Sequence, residues 1–237
     1  MFYRREGNIP PKRHTQHKDK SGSLYFEELI SREGFSSIYS NVYHLNMPTE
    51  ILEIGNFTPI EASSKTSKHK NRHFRTAELE KRGDLISGRK LLLYNDDLFI
   101  SKLHISKSAS YLYRNSHFDE LLYIQSGKGI LLTNFGNLDI NKGDYIVIPR
   151  GVIWKIELEL DINALVLESK GSIRTPSRYR NKFGQLMEHS PFCERDIVTP
   201  NLLDPIIQEA VEIKVRLNDG FQNYLLGNHP FDIVGWD

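Results

Sequence analysis

The sequence predicts an all-β protein, a barrel or sandwich of short strands. From "KLLLYNDDLFISKLHIS" to "ALVLES", short apolar runs are broken by Gly, Asn and Asp at close intervals, the pattern of strands and tight turns. Within those runs apolar and polar residues alternate, as they do when one face of a strand is buried. No long amphipathic helix stands out; "LLDPIIQEAVEI" has room for one short helix at most.

Residues 1–23 carry the paired Pro10 and Pro11 and many charges, and read as an extended arm. "SLYFEELISREGFSSIYSNVYHL" is rich in aromatic and β-branched residues, and predicts strand or mixed structure. "SSKTSKHKNRHFRT", residues 63–76, is a polar basic loop. The strand-rich core follows, and "RTPSRYRNKFGQLMEHSPFCERD" reads as a linker. "NDG", residues 218–220, joins "EIKVRL" to "FQNYLL" as a hairpin. The final "NHPFDIVGWD" holds Phe231, Ile233, Val234 and Trp236, which want apolar partners; a strand docked in a sheet is the simplest reading. The chain thus divides into 1–100, arm and flanking strands; 101–170, barrel core; and 171–237, linker and C-terminal strands.

With 237 residues, 39% hydrophobic and 26% charged, the chain is long enough for one large or two small domains of ordinary globular composition. A net charge of +1 gives no global attraction to nucleic acid or membrane, and no apolar run approaches the roughly 18 residues of a membrane span. The lone Cys193 excludes an internal disulfide framework and a cysteine-based zinc site. The polar, basic N-terminus has no signal-peptide core. These features point to a cytoplasmic protein that binds neither nucleic acid nor membrane.

The strand faces decide the chemistry. In "VIWKIELEL", Trp154, Ile156, Leu158 and Leu160 share one parity and are assigned to the core, opposite Ile153, Lys155, Glu157 and Glu159. Tyr145 to Ile148 in "GDYIVIPRG" is expected to be a buried strand. In "ELLYIQ", Glu120 shares its parity with Leu122 and Ile124, so it points inward. An inward carboxylate requires a cation or hydrogen-bond donors.

These residues resemble the cupin superfamily. Glu120 and Gly127 have the spacing of its first motif, and Gly143, Pro149 and Gly151 that of its second. The first motif's two histidines would fall within Tyr113 to Ser116, where there is none; the second motif's histidine position is Trp154. Iron(II) needs several imidazole or carboxylate ligands around open positions, which one glutamate beside an indole does not supply. The barrel is therefore expected to hold no metal, with Trp154 filling its interior.

The combination "IPPKRHTQ", "GSLYFEEL", "EGFSSIYSNVYHL", "DELLYIQSGKGILLTNFGNLDINKGDYIVIPRGVIW" and "HPFDIVGWD" resembles homogentisate 1,2-dioxygenase, in that family's order and over nearly the whole chain. The resemblance implies a two-part cupin, with a metal-free N-terminal barrel packed on an iron-bearing C-terminal one, so that 171–237 would be the linker and the start of the missing second barrel. It implies cleavage of the ring of homogentisate, a small aromatic acid, by dioxygen to maleylacetoacetate in tyrosine and phenylalanine catabolism. The family's Fe(II) ligands, two histidines and a glutamate, lie beyond "HPFDIVGWD". None carries over here, so no catalytic, cofactor-binding or metal-ligating residue is assigned, and no iron is expected on this chain alone. Its expected partners are further copies of itself or the iron-bearing barrel. If that barrel is missing, the apolar residues of "HPFDIVGWD" and the hairpin at Asn218 to Gly220 would be left open, and the chain would associate.

Two further classes compete. A non-catalytic cupin binding or assembly module would need no metal. A metal-independent sugar-isomerase-type cupin would need an inward His-Asp or His-Tyr pair, for which His117 near Glu120 is the one candidate. His14-x2-His17 and His69-x3-His73 have metal-like spacings, but both lie in basic surroundings that repel a cation. Lys65, Lys68, Lys70, Arg72 and Arg75 could touch phosphates, but they lack the aromatic interleaving of a nucleic-acid module. Cys193 has Arg195 as its sole local activator and reads as a small buried hydrophobe.

Overall fold

The structure, a computed structural model of the chain, describes residues 4–13, 15–36, 39–48, 50–60, 62, 71–79, 82–182 and 184–237. His14, His69, Lys65, Lys68 and Lys70 lie outside these residues. Among the described residues fourteen strands carry the fold: β1 Glu6–Gly7, β2 Phe26–Ser31, β3 Tyr39–His44, β4 Ile51–Pro59, β5 Arg89–Tyr94, β6 Leu98–Ile105, β7 Leu112–Asn115, β8 Asp119–Thr133, β9 Gly136–Ile140, β10 Tyr145–Ile148, β11 Ile153–Ser169, β12 Glu209–Arg216, β13 Gly220–Asn228 and β14 Ile233–Trp236. The all-β expectation is borne out. The short helix allowed for in "LLDPIIQEAVEI" does not form: Pro205 denies it a helical interior, and Glu209 onward is β12.

Two sheets result. The smaller has the order β1-β14-β3-β2. The larger has ten strands along the path β10-β8-β11-β7-β12-β13-β4, with β9 on β8 and the β5-β6 pair on β11. Strands β8 and β11, of 15 and 17 residues, run along each other through both walls of the core. Their register shifts three times between Leu158 and Ala164, the irregularity that lets paired strands bend. Gly127 sits opposite this bend at φ 102°, and a Cβ there would lie 2.2 Å from the carbonyl oxygen of Asp161. Only glycine permits that approach. The sheets enclose the core without closing into a continuous hydrogen-bonded cylinder.

The main core gathers Leu103, Leu122, Ile124, Leu131, Trp154, Ile156, Ala164 and Val166 with others of the barrel strands. A second cluster, Leu112, Ile153, Val211, Ile213, Val215 and Phe231, lies on the far side of the β7–β11 wall. Two face assignments are corrected by this arrangement. Ile153, placed outside by parity, is buried in the second cluster, because β12 and β13 cover that face. Leu160, placed inside, is 63% exposed, because it sits between two register shifts at the bend. A third correction concerns β10. It pairs on one side with β8 and ends the path, so Tyr145 and Val147 are exposed and only Ile148 is fully buried.

The 218–220 hairpin forms as expected, with β12 antiparallel to β13. It is not an open edge: β12 pairs in parallel with β7, and β13 pairs with β4. Nor is "HPFDIVGWD" left open to water. Phe231 and Ile233 are buried, and β14 lies between β1 of the N-terminal arm and β3. Residues 209–237 are therefore paired with strands from the first half of the chain. The apolar edge is β4, all nine of whose residues are exposed, Ile51, Leu52, Ile54 and Phe57 among them.

The joint between β3 and β14 is electrostatic. His44 donates from Nδ1 to Asp232 Oδ1 at 2.7 Å, while its Nε2 lies 3.2 Å from Glu28 Oε2, off the hydrogen-bond direction. Burial pulls the imidazole pKa down, but the two carboxylates outweigh it and lift it to about 9. A group raised above its unfolded value stabilises fully below that value, about 6.5, and the gain is lost as pH climbs through the folded value. Stability is thus expected to fall by on the order of 2 kcal/mol between about pH 6.5 and 9, after discounting the part-exposed Glu28. His44→Gln should abolish that slope in urea melts at the two pH values; an unchanged slope would sink the assignment. His229 works on the acid side. Its Nδ1 accepts the Phe231 N–H at 3.1 Å, and burial and the nearby Lys155 hold its pKa down to about 4. Its contribution is present above about 6.5 and is lost as pH falls toward 4.

Candidate functional site

The centre of the barrel, where the sequence places the cupin motifs, holds a buried charge network. Glu120 on β8 is fully buried and does find a cation: Arg89 on β5 donates from Nη1 to its Oε1 at 2.7 Å. Tyr113 on β7 donates its hydroxyl to the same oxygen at 3.1 Å. Arg89 also donates from Nε to the Leu85 carbonyl, and its Nη1 lies 3.8 Å from Glu168 Oε2. Glu168, near the end of β11, takes donors from Asn115 at 2.9 Å and from Arg216 Nε at 3.1 Å. Arg216, 1% exposed, lies over the rings of Phe99, Phe118 and Phe221 at 5.0, 5.1 and 5.8 Å, so its charge is shared between a carboxylate and three aromatic faces.

Two guanidiniums and two carboxylates balance in charge, and aromatic rings seal them. Trp154 on β11 is fully buried, as its parity predicts, and meets Tyr113 edge to face at 5.0 Å. Burial pushes the Glu120 carboxyl pKa up while Arg89 pulls against it. Burial likewise drives the Tyr113 hydroxyl well above its usual range, which suits a phenol that donates. Burial would lower Arg89, but Glu120 and the other anionic groups more than reverse it, so Arg89 stays charged.

This donor set does not suit a divalent metal. Oε1 of Glu120 is taken by a guanidinium and a phenol, and the position of the second motif's histidine is an indole whose N–H is a donor, not a ligand. Among the described residues no group of three or more His, Cys, Asp or Glu is arranged to hold a metal ion. His117 is exposed on the turn before β8 and contacts Phe118, not Glu120, so the isomerase-type pair is not assembled. His17 is buried with its Nε2 on the Asn8 carbonyl and its ring against Tyr25 and Tyr43, which makes it a packing residue of the arm. His73 is exposed. Cys193 is half-buried rather than a core residue, and its backbone N–H is held by Asp196.

Sequence reasoning missed Arg89, Glu168 and Arg216. Glu168 was findable: it shares its parity with the buried Ala164 and Val166 on β11. Arg89 and Arg216 stand at the beginning and end of their strands, where local patterning assigns charge to solvent. Asp119 was also missed. Fully buried, it accepts the Arg150 N–H and Nε at 3.0 and 3.1 Å, Arg32 Nη1 at 2.8 Å and the Ile173 N–H at 2.9 Å. It thereby ties the hairpin of the small sheet to the barrel rim. Burial would raise its pKa, but these donors together hold it below the ordinary carboxylate range.

Residues 85–237 match the profile of the family described as "Homogentisate 1,2-dioxygenase N-terminal". Over 239 aligned positions the chain is 36% identical to a protein of Saccharolobus solfataricus described as a "Putative dioxygenase"; the match covers 100% of this chain and 62% of that protein. The chain thus spans less than two thirds of that relative's length. Similar solved structures include a cupin protein from Bacteroides fragilis, 20% identical over 38% of this chain and 83% of that one, with a TM-score of 0.33. Another is KdgF from Halomonas sp., 20% identical over 44% and 96%, with a TM-score of 0.36.

Proposed function

The chain belongs to the homogentisate 1,2-dioxygenase N-terminal family, and from that premise we propose that it forms the metal-free barrel of a ring-cleaving dioxygenase acting on homogentisate or a closely related small aromatic acid. The carrying observation is the Arg89–Glu120 contact at 2.7 Å. A guanidinium stands on the glutamate of the cupin motif, and Tyr113 and Trp154 fill the ground around it. On this reading the catalytic Fe(II) is held by residues outside this sequence. The barrel's contribution is a rigid, charge-balanced body, and its natural partners are an iron-bearing barrel and further copies of the chain. We place the work in aromatic amino-acid breakdown, in the cytoplasm.

The test is metal analysis and oxygen uptake on the purified chain after loading with ferrous iron. No stoichiometric iron and no uptake with homogentisate are expected, with uptake appearing when the iron-bearing residues of the family are supplied. One tightly bound iron per chain, lost on Glu120→Ala, would overturn the metal-free reading.

A further inference from the structure

We propose that the outer face of the β6–β8–β11 wall carries a binding pocket for a small oxyanion, built around Lys102. The pocket has a volume of about 340 Å³ and lies on the opposite face of the sheet from the charge network. Lys102, His104, Gln125, Ser126 and Asn163 form its floor; Thr76, Ala77, Leu79 and Arg82 complete its lining.

Lys102 is the anomaly that points to an anion. Three lysine or arginine side chains are buried among the described residues: Arg89, Lys102 and Arg216. Arg89 and Arg216 each have a carboxylate within salt-bridge distance. Lys102, 7% exposed, has none among the described residues; its ammonium donates to the neutral Gln125 Oε1. An ammonium has three donors, and burying it without a counter-charge is costly. Burial pulls its pKa below the usual lysine range, the signature of that cost.

Lys90 and Arg82 add charge of the same sign. Lys90 stands directly opposite Lys102 in the β5–β6 register. Arg82 lines the pocket, as does His104, whose Nε2 is 3.6 Å from the exposed Asp161 carboxylate. Among the described residues no carboxylate belongs to the lining. Asn163 Nδ2 already donates to Ser126 Oγ at 3.2 Å, which leaves the serine hydroxyl proton free to point into the pocket. Ammonium and hydroxyl donors on strands, with a guanidinium beside them around one concavity, suit a phosphate or a carboxylate group and would repel a cation.

Calorimetric titration of the full chain with inorganic phosphate, and separately with acetate, at constant ionic strength tests this. Saturable one-site binding of at least one anion is expected, and whichever binds identifies the oxyanion class. Lys102→Met should weaken that binding about tenfold or more, the scale of one charge-assisted hydrogen bond. Arg82→Gln, at an exposed position, should weaken it too, and decides the matter if the Lys102 variant does not fold. Absence of saturable binding to the unaltered chain, or unaltered affinity in the folded variants, would overturn the proposal.

Discussion

Arg89→Met is expected to cost about 3–5 kcal/mol of folding stability, the range for removing one partner of a buried ion pair. The cost comes from what remains. Glu120 is fully buried, and without Arg89 its sole hydrogen-bond donor among the described residues is the Tyr113 hydroxyl. Its Oε2 is already without a hydrogen-bond partner among the described residues. A second carboxylate, Glu168, stands nearby and would repel it. The pair itself adds little over an apolar replacement, because desolvating two ions offsets their attraction. The double variant Arg89→Met, Glu120→Gln should therefore recover much of the loss, with a coupling of about 2–3 kcal/mol in a double-mutant cycle. Urea melts of the four proteins measure it. Additive losses, or a single-variant loss under about 1 kcal/mol, would mean that the two side chains do not act as an ion pair.

The network shows which parts of this fold are legible in the sequence. Period-two alternation reports which side of a strand is dry, and it placed Trp154, Leu122, Ile124 and Glu120 inside. It also demanded a cation for Glu120, yet it could not name Arg89, which is 31 residues away in sequence. Pairing partners between distant strands are set by topology, and a charged residue at a strand end looks the same whether it ends in water or in a core. Parity failed where its premise fails. At Leu160 register shifts interrupt the alternation, and at Ile153 the supposed solvent face is covered by β12 and β13. The same strands explain why the chain's last residues are not open to water: β14 finds β1 and β3, elements from the opposite end of the sequence. The Lys102 pocket was equally hidden, because it requires β6, β8 and β11 to meet Thr76, Ala77, Leu79 and Arg82 on one face.

Trp154→Ala should also cost about 3–5 kcal/mol, the usual loss for truncating a buried large aromatic. Trp154 is among the largest fully buried side chains, and it packs edge to face on Tyr113. Its removal would leave a cavity beside the Arg89–Glu120 contact, and Tyr113 would lose the ring that fixes its hydroxyl on Glu120. The indole contributes through its rings and not its N–H: Nε1 is buried and makes no hydrogen bond among the described residues. Trp154→Phe should therefore cost clearly less than half as much, since it keeps the aromatic contact and removes an unpaired N–H. Denaturant midpoints at constant m-value give both numbers. A loss under about 1 kcal/mol for the alanine variant would mean that the strand face is inverted. Equal losses for both variants would mean that Nε1 holds a polar partner at the position where the cupin motif puts a histidine, and that the site is more than packed space.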